Sequence, residues 1–527
     1  MSRLLLTTVC RPVGGAHEGP SMGVDVMKGQ LCVSQGALRT AGVGWAYGLE
    51  YIAANLTSPT TVLHWPSEGE LIRELCDGHY DTVGISYTFQ LVPRLSRIVA
   101  LVRTYAPDVR VVLGGYGTAA PETHALGDHV CDGDGIAFMR ELLGERVGQP
   151  IEHPTIVYGN SLLSLPIDAG RKVMICTGLG CATGCDFCAS SAKFRQRYQP
   201  LVADGDALFA VMDDLYQRTG IDEFQLFDEN FLVDRPRAER LAELCQQHDR
   251  HFDFFTFASL RSLAQYTAED LVRIGVSAVW VGLEGKHAGY SKLHGEKLAA
   301  LISRLRRVGI LVVGSMIVGF DYHTPAIIHD ELEEILDAEP TYLQCLIYGP
   351  TPGTALWDRL EQQQRWRGGP PGRGGVPYER CDGFQLGFEH PHMSADELEG
   401  LQRRCTELDF ERHGPSIYRA VATWYEGWTN LRDAAEPWLQ ARAAVYERKL
   451  AGCRPLLPVG IARAPTPAVR SRLVALGDRL DNALGPAALK ERIIAHGVLP
   501  VAERWTRFTL RYHALQQPGL IRRRYRW

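Results

Sequence analysis

From about residue 170 the chain repeats one unit six times, a short apolar run followed by a longer amphipathic one. The runs "RKVMICT", "EFQLFD", "HFDFFTFAS", "SAVWVGLE", "ILVVGSMIVGF" and "TYLQCLIYG" are strand-like, and helical stretches such as "GDALFAVMDDLYQRT" and "PRAERLAELCQQH" separate them. A helix between consecutive strands forces parallel pairing, because the chain must cross back to the same end of the sheet before each new strand. Six such units predict a partial (β/α)6 barrel over residues 165–364. Loops at the carboxyl ends of barrel strands carry chemistry while the packed strands hold them in place. The polar residues at those ends are Asp228 and Glu229, Asn230, Ser259 and Arg261, Glu284, and Asp321.

The loop after the first of these strands reads "CTGLGCATGCDFCASS". Cys181, Cys185 and Cys188 have the spacing C-x3-C-x2-C there, with Phe187 just before the last. The chain holds thirteen cysteines, otherwise scattered, and nothing in "MSRLLLTTVC" is long enough to serve as a secretory signal. A reducing, cytoplasmic setting is expected, where a close trio of thiols points to metal and not to disulfides. Structural zinc and simple electron-carrying clusters take four protein ligands. Three leave one metal position open for a small molecule, which is a catalytic arrangement. Cys176, at the strand end outside the spacing, reads as a small core residue.

Residues 1–150 alternate in a second way: "TTVLHWP" precedes "EGELIRELCDG", "YDTVGISYT" precedes "VPRLSRIVALVRTYAP", and "VRVVLGGYG" ends in a glycine turn. This is an α/β, doubly wound pattern, in which ligands lie beyond the carboxyl ends of the strands. Those ends are Ser86, Tyr87 and Gln90, then Gly114 and Gly115, then the turn at Gly133. Residues 365–393, which open with "RWRGGPPGRGG", read as a Gly/Pro-rich linker, and 394–527 as a helical domain with aromatics from Trp424 to Tyr446. The formal net charge of −5 gives no electrostatic reason to expect nucleic acid, despite the basic tail "LIRRRYRW", and no run approaches the length of a membrane span.

"CATGCDFC" resembles the signature of the radical S-adenosylmethionine (SAM) superfamily. The resemblance implies that Cys181, Cys185 and Cys188 hold a 4Fe-4S cluster whose open iron binds SAM, which one electron cleaves to a 5'-deoxyadenosyl radical. It also implies SAM contacts from Phe187, from Asp228, Glu229 and Asn230 in "FDENF", from Ser259 and Arg261 in "ASLRS", and from Glu284 in "VGLEG". A doubly wound domain ahead of such a barrel is similar to the cobalamin-binding class (class B), and "RHGPSIYRAVATWYEGW" resembles its hopanoid C-3 methylase branch. Ser86, Tyr87, Gln90, Gly114, Gly115 and Gly133 then become cobalamin contacts. No D-x-H-x-x-G occurs to supply a histidine below cobalt, so either cobalamin binds without a protein ligand or the domain is kept without the cofactor.

The function expected on this resemblance is a cobalamin-dependent radical SAM C-methyltransferase. Its substrate is a small apolar molecule (a lipid, an isoprenoid or a natural-product intermediate), and its electrons come from a flavodoxin or ferredoxin. The alternatives are a radical cyclisation, coupling or desaturation without methyl transfer, and a non-catalytic iron-sulfur protein.

Overall fold

The computed structural model describes residues 2–13, 27–42, 44–163, 165–166, 171–285, 297–512 and 517–527. The first sheet begins with β1 (Leu4–Thr8), β2 (Thr60–His64), β3 (Thr82–Ser86), β4 (Arg110–Gly114) and the short β5 (His129–Val130), paired in parallel in the order β2-β1-β3-β4-β5. β1 is central, and its Leu4, Leu5 and Leu6 are buried, as a strand covered by helices on both faces must be. Each such leucine contributes roughly 1.5–3 kcal/mol. The helices start where the sequence signals them. Ser67 and Glu70 form a capping box for Glu68–Gly78, and a proline sits in the first turn of Val92–Tyr105. Because the strand order reverses between β1 and β3, a crevice opens at their carboxyl ends, above Thr8 and Ser86.

The chain then passes through β6 (Val157–Tyr158) and a hairpin of β7 (Ser161–Leu162) and β8 (Leu165–Pro166) into β9 (Lys172–Cys176). A small antiparallel pair, β10 (Gly178–Leu179) and β11 (Gln199–Pro200), brackets the cysteine loop. Then come β12 (Glu223–Phe227), β13 (Asp253–Ala258), β14 (Val276–Gly282), β15 (Leu311–Val318) and β16 (Tyr342–Ile347). The second sheet runs β16-β15-β14-β13-β12-β9-β6, parallel throughout except for β6. These are the six strand units read from the sequence, closed into a partial barrel. Alternate positions pack under the outer helices. The half-buried Phe227, Phe255, Phe257, Trp280 and Ser315 face the concave side, where their rings and the Trp280–Ser315 hydrogen bond bring them together.

Beyond the barrel, helices Ala395–His413, Ser416–Leu431, Pro437–Cys453, Pro467–Leu484 and Leu499–Tyr512 dominate. Trp424, Trp428 and Tyr446 are buried among them as core. The final residues do not continue the helical pattern. β17 (Ile521–Tyr525) adds antiparallel to β2 on the edge of the first sheet. The basic tail is thereby neutralised from within: Arg522 pairs with Glu74 at 2.8 Å, and Tyr525 and Arg523 meet the fully buried Glu50.

Two further stretches depart from their sequence expectation. Residues 27–38, expected in the first domain, pack against the barrel, with Leu31 and Cys32 on Val313 and Tyr342, and Gln35 exchanging hydrogen bonds of 2.7 and 3.0 Å with Ser416. The glycine-rich segment is a tie between domains, not a loose linker. Tyr378 is buried against Phe89, Trp366 packs against Trp357, and Arg365 grips Asp321 at 2.8 and 3.0 Å. Gly368, Gly369, Gly372 and Gly374 all take φ between +72° and +136° in that segment, which explains its composition.

Candidate active site

The carboxyl ends of both sheets open onto one cavity of about 500 Å³. The first sheet contributes Thr8, Ser86, Tyr87, Gly114, Gly115 and Gly133, and the barrel contributes Cys176, Gly178, Gly180, Phe227, Asp228, Glu229 and Phe257. Trp45, Tyr47 and Tyr51 close one side from the segment that leads into and through helix Tyr47–Ala54. Tyr47 stacks on Phe227 at 4.6 Å, and Trp280 stacks on Phe257 at 5.5 Å, so the wall is an aromatic chain running into the barrel. Among the described residues that line the cavity there is no histidine.

The cysteine loop borders this cavity. Gly180 at its start has φ +76°, and a Cβ there would stand 2.3 Å from the Arg197 carbonyl oxygen, so only glycine fits. Cys181, Cys185 and Cys188 are half-buried thiols, none of them in a disulfide. Cys181 Sγ lies 3.1 Å from Thr183 Oγ1, and the Cys188 N–H donates to the Cys185 carbonyl at 3.1 Å. Asp186 anchors the loop to the far side of the barrel by accepting from Tyr348 at 2.8 Å and Arg359 at 2.9 Å, while Phe187 packs edge-on against Tyr348. Burial raises the pKa of the Cys188 thiol, opposed by backbone N–H groups of Ser191 and Ser190 and reinforced by Glu229. A metal must therefore displace a proton there. Among the described residues no three His, Cys, Asp or Glu side chains stand close enough to share a single ion.

The strand-end residues have different surroundings. Asp228 is buried, and its Oδ2 accepts from Tyr198 at 2.7 Å, Thr177 at 2.8 Å and Arg237 at 2.9 Å. That carboxylate borders the cavity, but Arg237 neutralises it. Glu229, next in sequence, lines the cavity with its side chain exposed there. Burial raises its carboxyl pKa, with a Ser190 hydrogen bond opposing. Asn230, Ser259 and Ser262 form a closed network, in which Ser259 N–H and Ser262 Oγ both donate to Asn230 Oδ1 at 3.0 and 2.8 Å. Glu284 lies at the end of β14 with φ +53°, its backbone N–H on the Ser315 carbonyl. Arg261 is exposed and lies outside the cavity lining.

On the first domain, Ser86, Tyr87, Gly114, Gly115 and Gly133 all line the cavity, Tyr87 with one qualification. The Tyr87 ring is buried and its hydroxyl bonds Thr123 at 2.8 Å, so the residue lines the cavity by its backbone side. Gln90 does not join them. Its side-chain amide donates to the Cys381 carbonyl at 2.8 Å, because the glycine-rich segment passes over it. Lys193, unnoticed in the sequence, links the halves: from the helix that follows the cysteine loop, its Nζ donates to the Gly115 carbonyl at 3.1 Å and to Thr118 Oγ1 at 2.9 Å. Tyr116 beside it bonds Ser190 at 3.0 Å, and burial pushes its pKa up to about 12. Neither residue belongs to a spacing pattern, and a lone lysine or tyrosine in a polar stretch carries no signal of its own.

A sequence model of the Radical SAM superfamily matches residues 175–337. An uncharacterised methyltransferase of Pyrococcus horikoshii is 22% identical over 272 residues, which are 47% of this chain and 56% of that protein, so the chain spans little more than half the length of its curated relative. A solved structure of the radical S-adenosylmethionine methyltransferase TsrM from Kitasatospora setae, with cobalamin and a 4Fe-4S cluster bound, superposes with a TM-score of 0.52 at 16% identity, covering 85% of this chain and 99% of that one. The same protein with tryptophan substrate and a SAM analogue (aza-SAM) gives a TM-score of 0.52 at 15% identity over 85% and 98% of the two chains. At such identities the likeness is one of fold. The chain thus carries a radical SAM domain over residues 175–337, set in an architecture shared with a methyltransferase of that superfamily.

Proposed function

We propose that this chain is a cobalamin-dependent radical SAM C-methyltransferase acting on an unactivated carbon of an apolar substrate. The observation that carries the reading is the single cavity into which both the doubly wound sheet and the cysteine-bearing barrel open their carboxyl ends. The residues fit the groups implied. Three thiols on one loop suit a cubane, in which each thiolate binds a different iron, so the sulfurs need not converge on one point as they must for a single ion. A Cβ at Gly133 would meet nothing within 4 Å and one at Gly114 only Cys131 at 4.0 Å, so both glycines leave space for a flat ligand. When bound, the cluster and SAM supply one-electron chemistry, and cobalamin supplies a methyl carrier.

The chain's own residues then bind, orient and exclude water. Glu229 presents an acceptor to the ammonium or ribose hydroxyls of SAM, with Asn230, Ser259 and Glu284 on the adjacent strand ends and Asp228 holding the turn through Arg237. Ser86, Gly114, Gly115 and Gly133 would cradle the corrin, and none of the described residues lining the cavity is a histidine that would reach its cobalt. The substrate meets Tyr47, Phe227 and Phe257, which supports an apolar molecule. The resemblance to the hopanoid C-3 methylase branch rests on helix Ser416–Leu431, whose Trp424 and Trp428 are core, so it bears on the scaffold and leaves the substrate to the cavity wall. A flavodoxin or ferredoxin of the cytoplasm is the electron donor in this reading. No helix among the described residues is long and apolar enough to cross a membrane.

The test is electron paramagnetic resonance of the anaerobically reconstituted chain with cobalt in its divalent state. The expected spectrum lacks nitrogen hyperfine structure from a protein histidine. A chain that takes up iron and SAM but no cobalamin would instead support radical chemistry without methyl transfer.

A further inference from the structure

The last helical stretch, Leu489–Tyr512, turns an apolar stripe to the outside. In Leu499–Tyr512 only Leu499 and Ala502 give apolar contact to the core, and the other described side chains turned inward are polar: Glu503, Thr506 and Thr509 are buried, with Glu503 only 3% exposed. Its outward face carries an apolar stripe: Val501 is 66% exposed, Trp505 54% and Phe508 51%, and the last two rings stack at 5.9 Å. The same stripe begins earlier, with Leu489 at 72% and Ile493 at 58% in Leu489–Ile493, and continues through Val498. The spacing from Ile493 to Val498 is five residues, too long for an α-helical stripe, and the segment Ile494–Val498 is a π-helical turn that keeps it in phase.

Charge is sorted with the same sense. The acids of this stretch are drawn inward, Glu491 to Arg454, and Glu503 to Arg463 at 3.0 Å and Arg507 at 2.8 Å. Lys490, Arg492 and Arg504 remain exposed, and by helical geometry they flank the apolar stripe. We infer that this face lies in the plane of an anionic lipid surface, with Leu489, Ile493, Val501 and Trp505 entering the headgroup boundary and the three cations meeting lipid phosphates. A basic amphipathic helix with a tryptophan on its apolar side has the composition of an interfacial anchor. A second copy is disfavoured as occupant, because a two-fold interface would bring the same cations against each other. The inference is independent of the methyltransferase reading.

The test is flotation of the reconstituted full chain with vesicles of equimolar phosphatidylcholine and phosphatidylglycerol, and with vesicles of phosphatidylcholine alone. The chain should float with the anionic vesicles, less so at raised salt, and weakly with the neutral ones. Joint Val501→Ser and Trp505→Ser should weaken binding about tenfold or more while leaving the thermal midpoint and iron content unchanged, since both side chains are exposed. Joint Lys490→Glu and Arg504→Glu should abolish the preference for anionic lipid. Failure of the unaltered chain to float overturns the inference, as does binding that the serine variant retains. So does self-association, seen by sedimentation without vesicle binding, that the serine variant abolishes.

Discussion

Asp228 and Glu229 are adjacent carboxylates at one strand end, and the fold gives them opposite tasks. Asp228 is locked to Arg237, both side chains 3% exposed or less. Removing one partner of such a pair leaves an uncompensated buried charge, so Arg237→Met should cost about 3 kcal/mol or more in denaturant unfolding. Glu229 faces the cavity, and on the reading proposed above loss of a charge-assisted hydrogen bond there would weaken SAM binding. Glu229→Gln should lower SAM affinity about tenfold, read by equilibrium binding, with iron content unchanged. Both positions were legible in the sequence as strand-end acids. Which one was available for a ligand was not, because Arg237 comes from the following helix and Tyr198 from the loop before, and neither distance is written in local pattern. Arg261 and Gln90 miscarried for the same reason: residue type suited a ligand, but tertiary neighbours turned Gln90 onto Cys381 and left Arg261 at the surface.

At the scale of elements, the joint between the sheets rests on Tyr51, in helix Tyr47–Ala54 of the first domain. Its hydroxyl accepts the Cys176 N–H at 2.7 Å from the end of β9, and so directs its own proton to His153 Nδ1 at 3.0 Å. That arrangement needs a neutral imidazole, and burial depresses the His153 pKa from 6.5 to about 4, with a hydrogen bond to Leu201 opposing. On acidification the unfolded chain therefore takes the proton first. The stability from this site is complete above pH 6.5 and falls by up to about 3 kcal/mol as pH approaches 4. Urea unfolding across that range should show the loss, and His153→Gln, which keeps an acceptor but does not titrate, should flatten the slope by about one proton. The six barrel strands were readable because apolar runs alternate with amphipathic ones. β17 was not, since "IRRRY" is short and basic and its partner β2 lies at the other end of the chain. Residues 27–38 were equally silent, having no period to announce that they pack on the barrel.

The whole molecule follows from two rules applied to two sheets. Each offers its ligand face at the carboxyl ends of its strands, and the two faces meet over one cavity. The sequence carried both sheets and the cysteine loop, because they depend on local periodicity and spacing. It did not carry the clamp between them, Lys193 on the Gly115 carbonyl, which depends on how the domains dock. The central claim is that this shared cavity holds the corrin above the barrel, and Gly114 offers the cleanest way to fill it, because a side chain there points into open space without straining the backbone. The decisive measurement is cobalamin and iron retained after anaerobic reconstitution and desalting, compared between the unaltered chain and Gly114→Leu. The account predicts stoichiometric cobalamin in the first, a loss of at least about tenfold in the second, and the same iron in both. Equal cobalamin in the two proteins, or none in the unaltered chain, would contradict it.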